Sequence, residues 1–178
     1  MKEIETQRLI LKKWETSDLN DLYEYGKDPE IGPLCGWKPH ESVDESAVIL
    51  DMFIKTDNVW AIVYKENGKT VGGIDLKKDI KRNCDDILEL GYVLARDYWG
   101  KGLMTEAAEA VIRYGFEQIG LYGISCGHFP HNMRSKRVIE KCGFKYEGIL
   151  KHSYKIFDGT VYDQVCYLIT KDEFIKGE

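Results

Sequence analysis

The chain has 178 residues, of which 43% are hydrophobic and 31% charged, a balance that excludes disordered and collagen-like classes. Lys+Arg 25 against Asp+Glu 30 leaves a net charge of −5, so the overall field expected of a nucleic-acid binder is lacking. No apolar run approaches the ~20 residues needed to cross a bilayer, and Met1-Lys2-Glu3-Ile4-Glu5 does not read as a secretion signal.

Five cysteines (Cys35, Cys84, Cys126, Cys142, Cys166) are scattered and form no CxxC. The expectation is reduced thiols in a cytoplasmic protein, with no metal site, no membrane partner and no direct nucleic-acid partner. Alternation over Arg8-Leu9-Ile10-Leu11-Lys12-Lys13-Trp14 predicts a first strand. Thr16-Ser17-Asp18 reads as a helix N-cap region ahead of Leu19, Leu22 and Tyr23, and Asp28-Pro29 ends that helix. Gly32 to Ser42 reads as a loop carrying Trp37, followed by a helix over about Val43 to Lys55 opened by Ser42 and Glu45.

Two strands, Val59 to Tyr64 and Thr70 to Leu76, flank Asn67-Gly68, a strong hairpin signal. A charged loop, Lys77 to Asp86, leads to a strand over Ile87 to Leu94. The glycine-containing segment after it starts a helix with Leu103, Ala107, Ala110, Val111 and Tyr114 on one stripe. A short strand near Tyr122 to His128, a helix over about Asn132 to Cys142 stopped by Gly143, and two strands around Asp158-Gly159 complete the chain. The order β-α-α-β-β-β-α-β-α-β-β predicts one α/β domain over residues 1–178 with a mixed sheet and a parallel pair flanking the glycine segment.

Leu94-Ala95-Arg96-Asp97-Tyr98-Trp99-Gly100-Lys101-Gly102 lies between a strand end and a helix start. Glycine lets the backbone turn tightly and approach a ligand, and the first amides of a helix lack intrahelical partners at the positive end of its dipole. That combination suits a phosphate or diphosphate. The Walker A spacing is absent, and Gly100-Lys101-Gly102 lacks the third glycine of a dinucleotide fingerprint. On the glycines alone, a plain tight turn accounts equally well for the segment.

The run Glu89-Leu-Gly-Tyr-Val-Leu94, then Trp99-Gly-Lys-Gly-Leu-Met-Thr-Glu-Ala107, closely resembles the acetyl-CoA-binding motif of the GNAT superfamily of N-acetyltransferases, in its Rim-type (ribosomal-protein N-terminal acetyltransferase-like) branch. Asn132-Met-Arg-Ser-Lys-Arg-Val-Ile-Glu-Lys-Cys-Gly-Phe144 is similar to that branch's NxxSxRVxEKxGF helix, Thr6-Gln-Arg-Leu-Ile-Leu11 to its first strand, and Gly159-Thr-Val-Tyr-Asp163 to its closing strand entry. The resemblance spans nearly the whole chain in the right order. It implies a mostly antiparallel sheet of about seven strands, with helices on both faces and a splayed parallel pair at the CoA site.

The resemblance also implies roles. Tyr92, Val93 and Leu94 would pair with the pantetheine arm of acetyl-CoA, and the amides around Trp99, Gly100, Lys101, Gly102, Leu103 and Met104 would hold the diphosphate, with Thr105 as a hydroxyl donor. Asn132 would lie near the pantetheine and Ser135 near the sulfur. An Asn at this place is equally well read as a helix N-cap. Asp97 stands where the family often has Gln or Arg, which leaves Arg96 or Lys101 to supply positive charge. Ile139 stands where many members carry a proton-donating Tyr, so Ser135 or water takes that role.

Glu89 is the candidate base, on a strand face with Ile87, Gly91 and Val93; a salt-bridged surface Glu is the competing reading. Trp37 and Tyr154 are the candidate acceptor-binding residues, Trp37 being equally readable as a core anchor, and Tyr154 occupies a position that is acidic in some Rim-type members. His128 and His131 read either as bases or, as is more common, as surface residues, and Cys126 and Cys142 as buried thiols rather than nucleophiles. The implied activity is acetyl transfer from acetyl-CoA to a primary amine, a protein N-terminus or a small molecule, by direct attack in a ternary complex. A non-catalytic acyl-CoA-binding module is the alternative. Dimers are the commonest assembly of such proteins, and the sequence leaves the oligomeric state open.

Overall fold

The computed structural model describes residues 1–177. Its strands are β1 (Ile4–Glu5), β2 (Leu9–Lys13), β3 (Val59–Tyr64), β4 (Lys69–Lys78), β5 (Ile87–Leu94), β6 (Gly123–His128), β7 (Lys145–Lys155) and β8 (Val161–Thr170). Its helices are α1 (Leu19–Gly26), α2 (Gly32–Cys35), α3 (Val43–Thr56), α4 (Leu103–Tyr114), α5 (Met133–Lys141) and α6 (Lys171–Gly177). The fold is an open mixed α/β sheet of 8 strands in the order β1-β2-β3-β4-β5-β6-β8-β7. β5 and β6 run parallel; β1–β2, β2–β3, β3–β4, β6–β8 and β7–β8 are antiparallel.

Eight strands replace the expected seven because of β1, whose two residues pair as Ile4↔Leu11 and Glu5↔Ile10. A two-residue strand is too short to show alternation. The predicted loop after Pro29 also contains the helical turn α2, with Pro33 in its first positions and Gly36 at φ 91 closing it.

The chain divides into two compact units. The first contains Met1–Asp75 and Tyr92–Ala107. Its core gathers Trp14, Leu22, Tyr25, Ile31, Leu50 and Ala61, with Trp37, Phe53, Val93, Ala95 and Trp99 packed against them. Removing such side chains from water is the main stabilising term. α3 starts where Ser42 Oγ accepts from Glu45 N (3.2 Å). Asp18 is buried: its carboxylate accepts from Glu15 N, Lys12 Nζ and Thr70 Oγ1, tying the entry of α1 to β2 and β4.

β4 carries a bulge. Ile62 pairs with Gly72 and Val63 with Thr70, so Val71 is the extra residue. Its carbonyl accepts from Ala95 N (2.7 Å), which fixes the end of β5 against β4. A Cβ on Gly72 would stand 2.2 Å from the Val93 carbonyl oxygen, so only glycine permits this approach.

The second unit contains Leu76–Gly91 and residues 108–177. The parallel ladder of β5 and β6 runs from Ile87↔Gly123 to Glu89↔Ser125. β6 pairs with β8 along its length, Gly123↔Thr170 to His128↔Val165. β7 and β8 close around Asp158-Gly159, with Gly159 at φ 90 and Ile156 N donating to Thr160 O. A π-helical turn over Gly115–Ile119 ends at Gly120, and Phe116 is buried with its ring 5.1 Å from that of Phe174.

Candidate functional site

The glycine segment lies in the first unit. After β5, Arg96–Tyr98 form one 3-10 turn, and Trp99 returns to extended geometry. Trp99 Nε1 donates to Leu94 O (2.8 Å), closing the turn back onto the strand end. Gly100 and Gly102 then both take φ 76, a region that residues with a Cβ adopt at a cost of about 1–2 kcal/mol. Glu106 N bonds to Gly102 O (3.1 Å), and α4 runs on from there. Leu103 and Met104 are buried and anchor the helix start, while Gly100, Lys101 and Gly102 are exposed. Positive-φ glycines just ahead of a helix N-terminus are a backbone arrangement that suits an anion.

The charges around the bend differ from expectation. Arg96 is committed elsewhere: Nε lies 3.0 Å from Asp28 Oδ2 and Nη1 2.9 Å from Glu30 Oε1. Asp97 is exposed. Lys101 Nζ lies over the Tyr98 ring, 5.1 Å from its centroid. The guanidinium beside the bend belongs to Arg8, whose Nη1 donates to Lys101 O (2.9 Å). Sequence reasoning gave Arg8 no role; its place in the opening motif was the one signal.

Tyr92 and Val93 are half-buried and Leu94 is buried, with its carbonyl engaged by the Trp99 indole. Thr105 is half-buried in the first turn of α4. Trp37 is half-buried, packs on the core of the first unit, and stacks 5.3 Å from the His40 ring. That is the core-anchoring reading.

Glu89 lies in the second unit, on the last rung of the parallel ladder, opposite Ser125. Its neighbours are not only apolar. Lys81 Nζ, from the loop after β4, lies 2.5 Å from Glu89 Oε1 and 3.6 Å from Asp79 Oδ1. Burial lowers the Lys81 proton affinity, but the bonds and charges of Glu89 and Asp79 outweigh it and hold the ammonium above its usual range. Asp79 is fully buried and accepts from Ser125 Oγ (2.6 Å), Arg82 Nε (3.0 Å) and Lys81 N (2.9 Å). Burial pushes its carboxyl up; Ser125, the Lys81 amide and the two cations override this and leave it below the usual carboxylate range. Arg82 also pairs with Glu147. The salt-bridged reading of Glu89 therefore describes its ground state. Neither Lys81 nor Asp79 was singled out from sequence, because both sit in a charged loop that reads as solvated.

Asn132 is the N-cap of α5: its Oδ1 accepts from Ser135 N (3.1 Å). Ser135 is half-buried in the first turn, and Ile139 is buried. Tyr154 is exposed on β7, with its ring 5.2 Å from that of Phe129. Phe129 also packs on Tyr162, and Tyr162 on His131. His128 is buried rather than on the surface: Nδ1 lies 2.7 Å from Phe129 O, and Nε2 lies 3.3 Å from Tyr167 Oη. Burial holds its pKa below the ordinary value. Burial also raises the Cys126 thiol far above its usual range and pushes Cys142 up to about 12, so neither is a thiolate nucleophile near neutral pH. Among the described residues no His/Cys/Asp/Glu group could hold a metal, and no helix is long and apolar enough to cross a membrane.

Residues 8–145 match the model of the acetyltransferase (GNAT) domain. The chain belongs to the GNAT acetyltransferase family, and its enzyme class is N-acetyltransferase. It is 28% identical to the uncharacterized N-acetyltransferase p20 of Bacillus licheniformis, covering 98% of this chain and 99% of that one. It is 30% identical to the ribosomal protein uS5-alanine N-acetyltransferase of Escherichia coli, covering 96% of this chain and 80% of that one. The crystal structure of a GNAT-family acetyltransferase from Bacillus anthracis superposes with a TM-score of 0.86 at 24% identity, covering 96% of this chain and 99% of that one.

Proposed function

We propose that residues 1–178 act as one catalytic domain that transfers the acetyl group of acetyl-CoA to a primary amine by direct attack in a ternary complex. The observation that carries this reading is the bend at Gly100 and Gly102, both at φ 76, leading into α4. The amides around Trp99 to Met104 hold the cofactor's diphosphate, with Thr105 supplying a hydroxyl. Tyr92, Val93 and the strand end at Leu94 take the pantetheine arm. Asn132 serves as a cap that fixes the start of α5, and so fixes Ser135.

The amine nitrogen attacks the thioester carbonyl carbon, the C–N bond forms and the C–S bond breaks. Glu89 takes the proton that the amine loses, and Ser135 or water protonates the departing thiolate. A free thiol has pKa about 8.5, so that leaving group needs modest help. Lys81 holds the Glu89 carboxylate in place at 2.5 Å. Tyr154, exposed on β7, shapes acceptor choice, while Trp37 anchors the core of the first unit.

Keeping an α-amine neutral at pH 7 costs about 1 kcal/mol, against about 5 kcal/mol for a lysine side chain. The acceptor is accordingly a protein N-terminal α-amine or a small-molecule amine of low pKa. Five cysteines scattered along the sequence with no CxxC suit a reducing compartment, the cytoplasm. The test is incubation with acetyl-CoA and a panel of N-terminal peptides, amino acids and polyamines, read by release of the CoA thiol. Turnover with at least one α-amine is expected. Thiol release with none of them contradicts the reading.

A further inference from the structure

Two motifs have so far no role in the chemistry: the opening Thr6-Gln7-Arg8 and Glu106 at the end of the glycine segment. They meet in the first unit. Glu106 Oε1 accepts from Thr6 Oγ1 (2.7 Å) and from Arg8 N (2.8 Å), and Oε2 accepts from Arg8 Nε (2.7 Å). Thr6 is itself fixed, its N donating to Leu9 O and its hydroxyl accepting from Leu9 N. Arg8 O accepts from Lys65 N, which ties the clamp to the β2–β3 ladder. Burial pushes the Glu106 carboxyl up, but Thr6 and Arg8 more than offset it, and the group stays below the usual carboxylate range.

The remaining arm of the fork reaches the bend. Arg8 Nη1 donates to Lys101 O (2.9 Å), and Nη2 lies 3.6 Å from where a Cβ on Gly102 would be. The carbonyl of Lys101 and the amide of Gly102 belong to one peptide unit. That unit is planar and trans, so its C=O and N–H point in opposite directions. This peptide turns over easily, because the flip reverses φ of Gly102 and glycine accepts both signs of φ. A donor held on the carbonyl removes that freedom and aims the Gly102 amide away from Arg8.

We propose that Arg8 is a positioning residue for the cofactor: clamped by Glu106, its guanidinium holds the Lys101–Gly102 peptide in the orientation that presents the Gly102 amide to the diphosphate. The proposal rests on the acetyl-CoA reading above. It needs the fork of a guanidinium and not charge alone, since an ammonium cannot bond Glu106 and the Lys101 carbonyl in this geometry at once.

The experiment compares wild type, Arg8→Lys, Arg8→Met and Glu106→Gln in KM for acetyl-CoA and for acetyl-pantetheine, which lacks the diphosphate. Melting temperature monitors folding, and Glu106→Gln keeps the oxygen that Thr6 and the Arg8 amide use. All three variants are expected to raise KM for acetyl-CoA about tenfold while KM for acetyl-pantetheine stays within about twofold. Arg8→Lys behaving as wild type, or equal losses with both thioesters, overturns the clamp. A wild type that uses acetyl-CoA no better than acetyl-pantetheine overturns the cofactor reading as well. A wild-type preference that no variant shifts overturns the clamp alone.

Discussion

Substitution Gly102→Val perturbs the bend at one of its two left-handed glycines. Gly102 sits at φ 76, and a Cβ there would be 3.6 Å from Arg8 Nη2, an ordinary contact. The penalty is therefore conformational rather than a clash. An L-residue in the left-handed region costs about 1–2 kcal/mol, and a β-branched one sits at the upper end. If the chain escapes that cost by leaving the left-handed region, the amides no longer converge. A loss of about 2 kcal/mol corresponds to about 30-fold weaker CoA binding. Gly100→Ala is the comparison: it has the same φ but nothing within 4 Å, so strain of about 1 kcal/mol and a loss of about fivefold are expected. Titration calorimetry with CoA, beside thermal melts, reads both. Gly102→Val binding CoA within about twofold of wild type, with an unchanged melt, refutes the bend as the diphosphate site.

Glu89→Gln should lower turnover at least about tenfold with little change in acetyl-CoA affinity; steady-state kinetics with unchanged turnover removes Glu89 from the mechanism. Gly72→Ala places a Cβ 2.2 Å from the Val93 carbonyl oxygen, a backbone atom that cannot swing aside, and should destabilise the fold by about 2 kcal/mol or more in urea unfolding; a wild-type midpoint contradicts the close approach. Cys126→Ala and Cys142→Ala should each keep turnover within about threefold, because burial holds both thiols protonated; loss of activity with an acetylated thiol detected by mass spectrometry contradicts this. His128 and His40 are both shifted down by burial, so their contribution to stability is complete above the unfolded value of about 6.5 and declines as pH falls through their lowered folded values. Melting temperature should therefore drop on acidification below about pH 6.5, and His128→Gln should flatten part of that drop. An identical profile for the variant contradicts the assignment.

What the sequence conveyed and what it hid have a common physical origin. The β5-to-α4 segment is readable because everything that shapes it is local: alternation up to Leu94, two glycines, then a helical stripe from Leu103. Asn132 reads equally as a cofactor contact and as an N-cap, and the bond from Ser135 N shows the cap, a short-range feature that the sequence makes legible. The contacts that reading missed are long-range. Glu106 meets Thr6 across 100 residues and Arg8 across 98, and Asp79 meets Ser125 across 46. Arg96 looked available for an anion because its partners Asp28 and Glu30 come from a distant loop. Glu89 looked apolar in its surroundings because strand periodicity describes its own strand and not the loop that delivers Lys81. Gly72 reads as an ordinary strand glycine until the Val93 carbonyl is placed against it.

The proposed diphosphate site is built from main-chain atoms, so a crystal structure with CoA bound is the decisive experiment. Diphosphate oxygens are expected within about 3 Å of backbone nitrogens between Gly100 and Met104, a normal hydrogen-bond distance. A bound cofactor whose diphosphate lies elsewhere, with that bend empty or occupied by side chains, contradicts it.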